Sequence, residues 1–263
     1  MITDTVQRWR SGRASYRPAG EPIRARDYEV APIADDSTAR SFVARHHYEH
    51  SYPAARLRVG LHRAGELVGV AVFSQPASQA ALAAALPFAS AGVELGRFVL
   101  LDDVPANGES WFLARAFELA RERFDAIVSH SDPAQRRGAR GELVFPGHIG
   151  TIYQATNATY CGLTPRRTRR VLADGTILSA RGLSKLRRRE RGWRYVVELL
   201  VAHGAPAPAG DWGEWVRAAV AATSRAERHP GSHRYVWALE NGLRRQLPVP
   251  LPYPKMTPRG GSL

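Results

Sequence analysis

Two stretches of this chain place ionisable side chains where a folded protein can assemble a reactive site. The first runs Asp125-Ala126-Ile127-Val128-Ser129-His130-Ser131-Asp132-Pro133. After a basic loop it resumes as Gly147-His148-Ile149-Gly150-Thr151-Ile152-Tyr153. An apolar strand ending on Asp132, followed by a Gly-His turn and a helix start that carries Tyr153, delivers polar groups to a sheet rim, where open α/β sheets build sites. Burial and a neighbouring cation would shift a carboxylate there, which suits Asp132 to the role of base or metal ligand. An Asp-Pro turn starter is the plainer alternative. Tyr153 sits one turn inside its helix, able to face a cleft or to serve as a core tyrosine with a satisfied hydroxyl. The second stretch, His46-His47-Tyr48-Glu49-His50, offers three imidazoles, a phenol and a carboxylate within five residues. Such groups suit an open N/O metal site, with His47 preferred over His46 because it directly precedes Tyr48; a His-rich surface loop is the alternative.

Two further positions carry chemistry. Arg97 interrupts an apolar strand, so its guanidinium needs Glu94, Asp132 or an anionic ligand as partner. The turn Asn107-Gly108-Glu109-Ser110 leads into a helix N-terminus, where free N–H groups favour a phosphate or carboxylate, so Asn107, Gly108 and Ser110 are candidate cofactor contacts. Ser110 serves equally well as a simple N-cap.

The elements that must position these groups follow from periodicity. A helix is expected over 34–45, capped by Asp35, Asp36 or Ser37. A hairpin joins 56–61 to 67–73 around Ala64-Gly65, and a strand covers 93–101. The helix 111–124, the strand 126–131, a short helix at 151–158 and the strand 159–163 come next, with a hairpin over 172–180 about Asp174-Gly175. Residues 77–91 suit either helix or loop. Downstream lie a basic helix at 186–204, a Pro/Ala linker, a helix at 212–226, a strand at 235–239 and a Pro-rich extended tail from 247. This is an α/β chain of the mixed α+β kind: a central mixed sheet flanked by helices, with a basic C-terminal extension. The expected division is a flexible arm over 1–30, a catalytic domain over 31–185 and a basic helical extension with a Pro-rich tail over 186–263.

With 263 residues, 44% of them hydrophobic, the chain can bury one sizeable core. It lacks an apolar run of the roughly 18 residues that a membrane span needs, and its first residues are charged, so a cytoplasmic protein is expected. A single cysteine, Cys161, excludes an intrachain disulfide and any Cys-rich metal site. The net charge is +13, and the 40 residues from Cys161 to Leu200 hold eleven Lys/Arg against three Asp/Glu. Clustering of that kind points to a polyanion. Arg166, Arg167, Arg169, Arg170, Lys185, Arg187 and Arg188 are the candidate phosphate contacts, with a solvated basic face as the alternative.

Several short motifs, in order, resemble the Mom family of phage DNA-modification proteins: His47-Tyr48, Glu66-Leu67-Val68-Gly69, Glu94-Leu95-Gly96-Arg97-Phe98, Asn107-Gly108-Glu109-Ser110-Trp111, Ser131-Asp132-Pro133 and Gly147-His148-Ile149-Gly150-Thr151-Ile152-Tyr153. The likeness covers about 40–180 and, more loosely, the tail. It implies a GNAT-like acyltransferase fold and an enzyme that adds a carbamoylmethyl (acetamido) group to N6 of adenine in double-stranded DNA, shielding it from restriction. It also implies iron, with ligands falling by motif on His47, Tyr48, Asp132 and Tyr153. Read from the residues themselves, the catalytic set is Asp132 as metal ligand or base, Tyr153 holding iron or substrate, and Arg97 and Ser110 binding the donor. The basic segment 134–146 is longer than the family pattern. The glycines of an acyl-CoA pyrophosphate loop are absent, which counts against acetyl-CoA and leaves the small-molecule donor unknown. A homodimer stays open. The alternatives are an acyl-CoA-dependent N-acyltransferase acting on another amine, in tRNA, protein or a premodified base, and a non-catalytic DNA-binding protein.

Overall fold

The computed structural model describes residues 5–10, 13–76 and 79–255. In chain order its elements are β1 (Thr5–Arg10), β2 (Arg13–Pro18), β3 (Tyr28–Pro32), α1 (Asp36–His46), β4 (Ala55–Arg63), β5 (Glu66–Ser74), α2 (Gln79–Ala85) and β6 (Gly92–Leu100). Then come α3 (Gly108–Arg121), β7 (Ala126–Ser131), β8 (Arg136–Arg137), β9 (Leu143–Phe145), α4 (Thr151–Ala155), β10 (Thr159–Leu163), β11 (Arg167–Leu172) and β12 (Ile177–Leu178). The chain ends with α5 (Ala180–Arg188), α6 (Arg194–Ala202), α7 (Trp212–Thr223), β13 (Ser224–His229) and β14 (His233–Ala238). Two compact units result. Unit 1 comprises Met1–Pro133, His148–Thr164 and Ser232–Leu263; unit 2 comprises Ala134–Gly147 and Pro165–Gly231.

Unit 1 is built on a seven-stranded mixed sheet of order β10-β14-β7-β6-β5-β4-β3. Among the described residues only β6 and β7 run parallel in it, joined by the crossover helix α3. Alternation along each strand sends its side chains to two faces, and helices cover both. On one face Phe112, Leu113, Ala116 and Phe117 of α3 and Tyr153 of α4 pack on Leu61, Phe73, Leu95, Ile127 and Trp237. On the other, Ala39 and Val43 of α1 meet Val70, Val72 and Val99, while Leu82, Ala85 and Leu86 meet Ala126, Val128 and Val236. Each fully buried Phe, Leu or Val in these layers contributes roughly 1.5–3 kcal/mol. The N-cap of α1 is Asp35, whose carboxylate accepts from the Thr38 amide at 2.9 Å.

Residues 5–18 were expected to belong to an arm, yet β1 and β2 pair into a hairpin. Its anchor is Arg8, buried in a ring of acceptors no periodicity could reveal. The guanidinium donates to the carbonyls of Leu101 (2.9 Å), Val104 (2.6 Å) and Pro105 (3.1 Å) and to Glu109 Oε1 (2.8 Å).

Unit 2 consists of two excursions of the chain, and each is closed at its neck by hydrogen bonds within unit 1. His148 N donates to Asp132 O at 2.8 Å, and Thr164 N donates to Ser232 O at 2.9 Å. Its three-stranded sheet has the order β12-β11-β13. Leu172 and Leu178 of that sheet pack with Leu183, Leu186, Val196, Leu200, Trp215 and Val216 of the three helices. The basic loop 134–147 is folded as the β8–β9 pair, with Arg136 lying 4.8 Å over the Phe145 ring. Where one basic helix was expected over 186–204, the chain makes α5 and α6. They are separated by a turn in which Arg189 (φ +53°) and Gly192 (φ +84°) adopt left-handed backbone.

Candidate functional site

The parallel ladder between β6 and β7 runs only from Gly92↔Ala126 to Glu94↔Val128. Past it the strands part, and Ser129 Oγ spans the start of the gap by donating to Leu95 O at 3.0 Å. A parallel pair that splays is a natural cleft, since the backbone groups beyond the last rung are not used by the ladder. The polar residues of β7 fall to both sides of this opening. Ser129 and Ser131 lie on the face of α3 and α4, and His130 lies on the other, its Nδ1 3.3 Å from Glu94 Oε1.

At the end of β7 the chain closes a cluster drawn from three distant segments. Tyr48, just past α1, places its hydroxyl 3.3 Å from His148 Nε2. His47 stacks on the Tyr48 ring at 4.2 Å, and its Nδ1 accepts the Glu49 amide at 3.0 Å. Burial lowers the His148 pKa to about 4, against the opposing pull of Asp132 and with a further push from His233. At neutral pH that imidazole is uncharged, so one ring nitrogen is a lone-pair acceptor. His233 is itself buried and sits 2.7 Å through Nδ1 from the Tyr160 hydroxyl.

Tyr153 lies beneath this cluster and not among its exposed groups. Its phenol bonds Ser129, and burial raises its pKa, so it stays protonated. The ring packs edge-on to Trp237 at 5.5 Å and against Tyr235 at 5.3 Å. Gly150 caps α4 at φ +74°, and a Cβ there would meet both the Tyr153 and Tyr235 rings at 2.8 Å. The neighbouring Ser131 hydroxyl is buried and finds no hydrogen-bond partner among the described residues.

Arg97 was expected to pair with Glu94, Asp132 or an anionic ligand. Instead the guanidinium grips the turn that follows Tyr48: Nε donates to Ser51 O (2.9 Å), Nη2 to Ser51 Oγ (2.7 Å) and Nη1 to Gly96 O (2.5 Å). Half-buried beside the strand, it also lies close enough to lower the Tyr153 phenol electrostatically.

Asn107, Gly108 and Ser110 stand at the N-terminus of α3, where the N-terminal segment engages them. Asn107 Oδ1 accepts the Ile23 amide at 2.6 Å, Ser110 Oγ donates back to Asn107 O at 3.1 Å, and Gly108 is buried. Glu109, pushed up by burial and pulled back by Arg8, adds a carboxylate to the same turn. Asn107 and Ser110 are thus engaged by the protein's own groups at this turn.

Among the described residues no group of three or more His, Cys, Asp or Glu could hold a metal ion. Of the four ligands implied by the resemblance, Tyr153 is a protonated phenol committed to Ser129. His47 and Tyr48 of that set are stacked neighbours at 4.2 Å, and no step of the reaction proposed below runs through iron.

The basic residues of unit 2 divide by exposure. Arg166, Arg167, Arg187 and Arg188 are exposed, Arg170 and Lys185 are half-buried, and Arg169 is buried. Arg169 donates through Nε (3.0 Å) and Nη2 (2.5 Å) to Glu227 Oε1, its cross-strand partner, so it is a structural residue of the β11–β13 pair.

Sequence reasoning placed His148, Ser129, Ser131 and His233 within motifs but gave them no role, and it passed over Ser51. The Ser-x-Ser alternation closing an apolar strand was the one local signal for the two serines. Nothing local marks Ser51.

None of the curated proteins matches this chain. Among solved structures it is similar to a tandem GNAT protein from the clavulanic acid biosynthesis pathway, at 11% identity and a TM-score of 0.40 over 81% of this chain and 99% of that one. A putative acetyltransferase from Pyrococcus horikoshii is similar at 10% identity and a TM-score of 0.38, over 83% of this chain and 92% of the other. The model of the Mom protein family matches residues 27–255. The chain that gathers Tyr48, Asp132 and His148 at the end of a splayed parallel pair therefore belongs to the Mom protein family.

Proposed function

We propose that this chain is a DNA-modifying transferase that places a carbamoylmethyl group on N6 of adenine, as in phage protection from restriction. Family membership supports DNA as the substrate class. The observation that carries the reaction is the convergence of Tyr48 and His148, a hundred positions apart, beside Asp132. In this reading the amine nitrogen attacks the donor's methylene carbon, the bond from that carbon to the leaving group breaks, and the amine proton passes to Asp132. Neutral His148 and the Tyr48 hydroxyl orient the base edge through hydrogen bonds, and the splay between β6 and β7 receives the donor. Arg97 holds the Tyr48 turn in place. Tyr153 and Ser129 form the floor. Because N6 inside a duplex is poorly accessible to a buried group, the target adenine is extruded.

The engagement of Asn107 and Ser110 by the protein's own groups counts against the reading as an acyl-CoA-dependent acyltransferase, which calorimetry with acetyl-CoA would test. For the main reading, nucleosides from DNA of cells expressing the wild type and Asp132→Ala are compared by mass spectrometry. A modified adenine is expected in the first, reduced in the second by on the order of a hundredfold or more, as loss of a general base commonly causes. An adenine pool unchanged by the wild type would sink the reading.

A further inference from the structure

The two basic stretches of unit 2 are treated differently by the fold. On β11 the charges tie strands together: Arg169 is bound to Glu227, and Val171 and Leu172 beside Arg170 are core. On β13, Arg225 donates to Arg137 O. The turn from α5 to α6 is another matter. Arg187, Arg188, Arg189, Arg191 and Arg194 are all exposed there, with one acid, Glu190, 3.6 Å from Arg188.

Local stability explains this grouping only in part. Cations in the last turn of α5 complement its dipole, which accounts for Arg187 and Arg188. Arg191 and Arg194 lie at the N-terminal end of α6, where the dipole repels a cation. Arg194 is compensated in part by lying 5.9 Å over the Trp193 ring, which leaves Arg191 as the charge set against a local rule, and such residues mark a functional demand. The floor of the turn is rigid as well. Trp212 Nε1 donates to Leu186 O at 3.0 Å, Arg189 lies 4.3 Å over the Trp212 ring, and Trp193 and Trp215 pack on that ring at 5.0 and 5.2 Å. Guanidinium groups on a fixed base lose less freedom when they bind, and the free N–H groups of the α6 N-terminus attract the same anion.

We infer that the α5–α6 turn, and not β11, docks on the phosphate backbone of duplex DNA. The inference rests on the reading of the chain as a DNA-modifying protein. Planar guanidinium forks suit phosphate oxygens, and contacts of this kind position a protein without choosing sequence.

The test uses the full chain and a fluorescently labelled duplex, with affinity measured by anisotropy across a salt series. Each phosphate contact contributes about 0.9 to the slope of log K against log salt. The variant R187Q/R188Q/R191Q should lose about 2–3 from that slope and bind at least about tenfold more weakly near 0.1 M salt, while R166Q/R167Q changes the slope by less than about 1. Unaltered circular dichroism and melting temperature establish that both variants are folded. A slope unchanged in the triple variant, or a larger loss in the β11 variant, would overturn the inference. Tighter wild-type binding to duplex RNA or to anionic lipid vesicles than to DNA, lost in the triple variant, would overturn DNA as the occupant. Nucleoside analysis separates the two readings. An unmodified adenine pool beside a reduced slope removes the modification and leaves the docking surface standing; a modified pool beside an unchanged slope does the reverse.

Discussion

In unit 1 the ionisable groups that meet at the end of β7 are buried (His47, His233) or half-buried (Tyr48, Asp132, His148), and burial takes His148 down to about 4. Unit 2 instead carries 17 Lys/Arg against 7 Asp/Glu, ten of the chain's thirteen net positive charges, and most of its arginines are exposed. Desolvation makes each charge or hydrogen bond in unit 1 count for more and fixes protonation states, which is what proton transfer needs. Exposed charges in unit 2 are individually weak but additive over a long polyanion and tunable by salt. The contrast teaches that one protein can keep its half-buried ionisable cluster and its exposed cations in separately packed bodies, each obeying a different electrostatic rule, and the function proposed above assigns chemistry to the first and anion contacts to the second.

Backbone strain gives the largest handle on that contrast. Gly150 of unit 1 and Gly192 of unit 2 share a left-handed backbone, at φ +74° and +84°. A Cβ at Gly150 meets two aromatic rings at 2.8 Å, whereas at Gly192 its nearest neighbour is the flexible end of Lys185 at 3.9 Å. Gly150→Ala should therefore cost about 2–4 kcal/mol, joining left-handed strain to overpacking, and Gly192→Ala only about 1 kcal/mol. Urea denaturation of both variants measures the difference. Equal losses would mean that α4 is not clamped against β14 as described.

Acid should act on unit 1 next. The folded-state pKa of His148 lies below the unfolded value of about 6.5, so between those values the unfolded chain binds the extra proton. Stability is full above about pH 6.5 and falls as pH drops toward 4, by about 3 kcal/mol if the site stays closed. His148→Gln should flatten that part of the profile. A variant with the wild-type pH dependence would show that the imidazole is not desolvated.

How much of this was legible depends on whether a signal is local. The strand 126–131, the β4–β5 hairpin and the turn at Asp174-Gly175 announce themselves through apolar runs and turn residues, and each appears near its expected place. The Arg8 hairpin does not, because its anchor is a set of backbone carbonyls about 95 positions away, and carbonyls carry no sequence signature. The continuous helix expected over 186–204 failed where Arg189 and Gly192 turn left-handed, although Gly192 was the available warning. Unit 2 was invisible as a unit because it joins two excursions whose necks are closed only by tertiary hydrogen bonds. At the site, residue types near Asp132 suggested chemistry, but the Tyr48–His148 contact and the grip of Arg97 on Ser51 are properties of the folded chain.

Within unit 2 the contrast can be repeated on a smaller scale. Arg169 has a side chain only 5% exposed and bonds Glu227, so Arg169→Gln should cost roughly 1–3 kcal/mol by leaving that carboxylate short of its partner. Arg187→Gln, on the exposed turn, should change stability by less than about 0.5 kcal/mol. Thermal melts distinguish them, and a stability loss at Arg187 as large as at Arg169 would return the turn to a structural role.

The smallest effect tests whether the acid response of unit 2 is separate from that of unit 1. Asp174, in the β11–β12 turn, accepts from the Thr176 amide (2.8 Å) and hydroxyl (2.9 Å) and lies 3.1 Å from His203 Nε2. Burial alone would raise its pKa, but these bonds outweigh it and the net shift is downward. A depressed carboxylate stabilises the fold above its unfolded pKa of about 3.9 and loses that contribution as pH falls through the folded value. Its side chain is half exposed, so the contribution should stay below about 1 kcal/mol. Hydrogen exchange between pH 5 and 2.5, compared with Asp174→Asn, should show unit 2 amides loosening only below about pH 4, after the loss tied to His148 in unit 1. Loosening of both units in the same pH window, unchanged by either substitution, would show that the two bodies respond to acid as one.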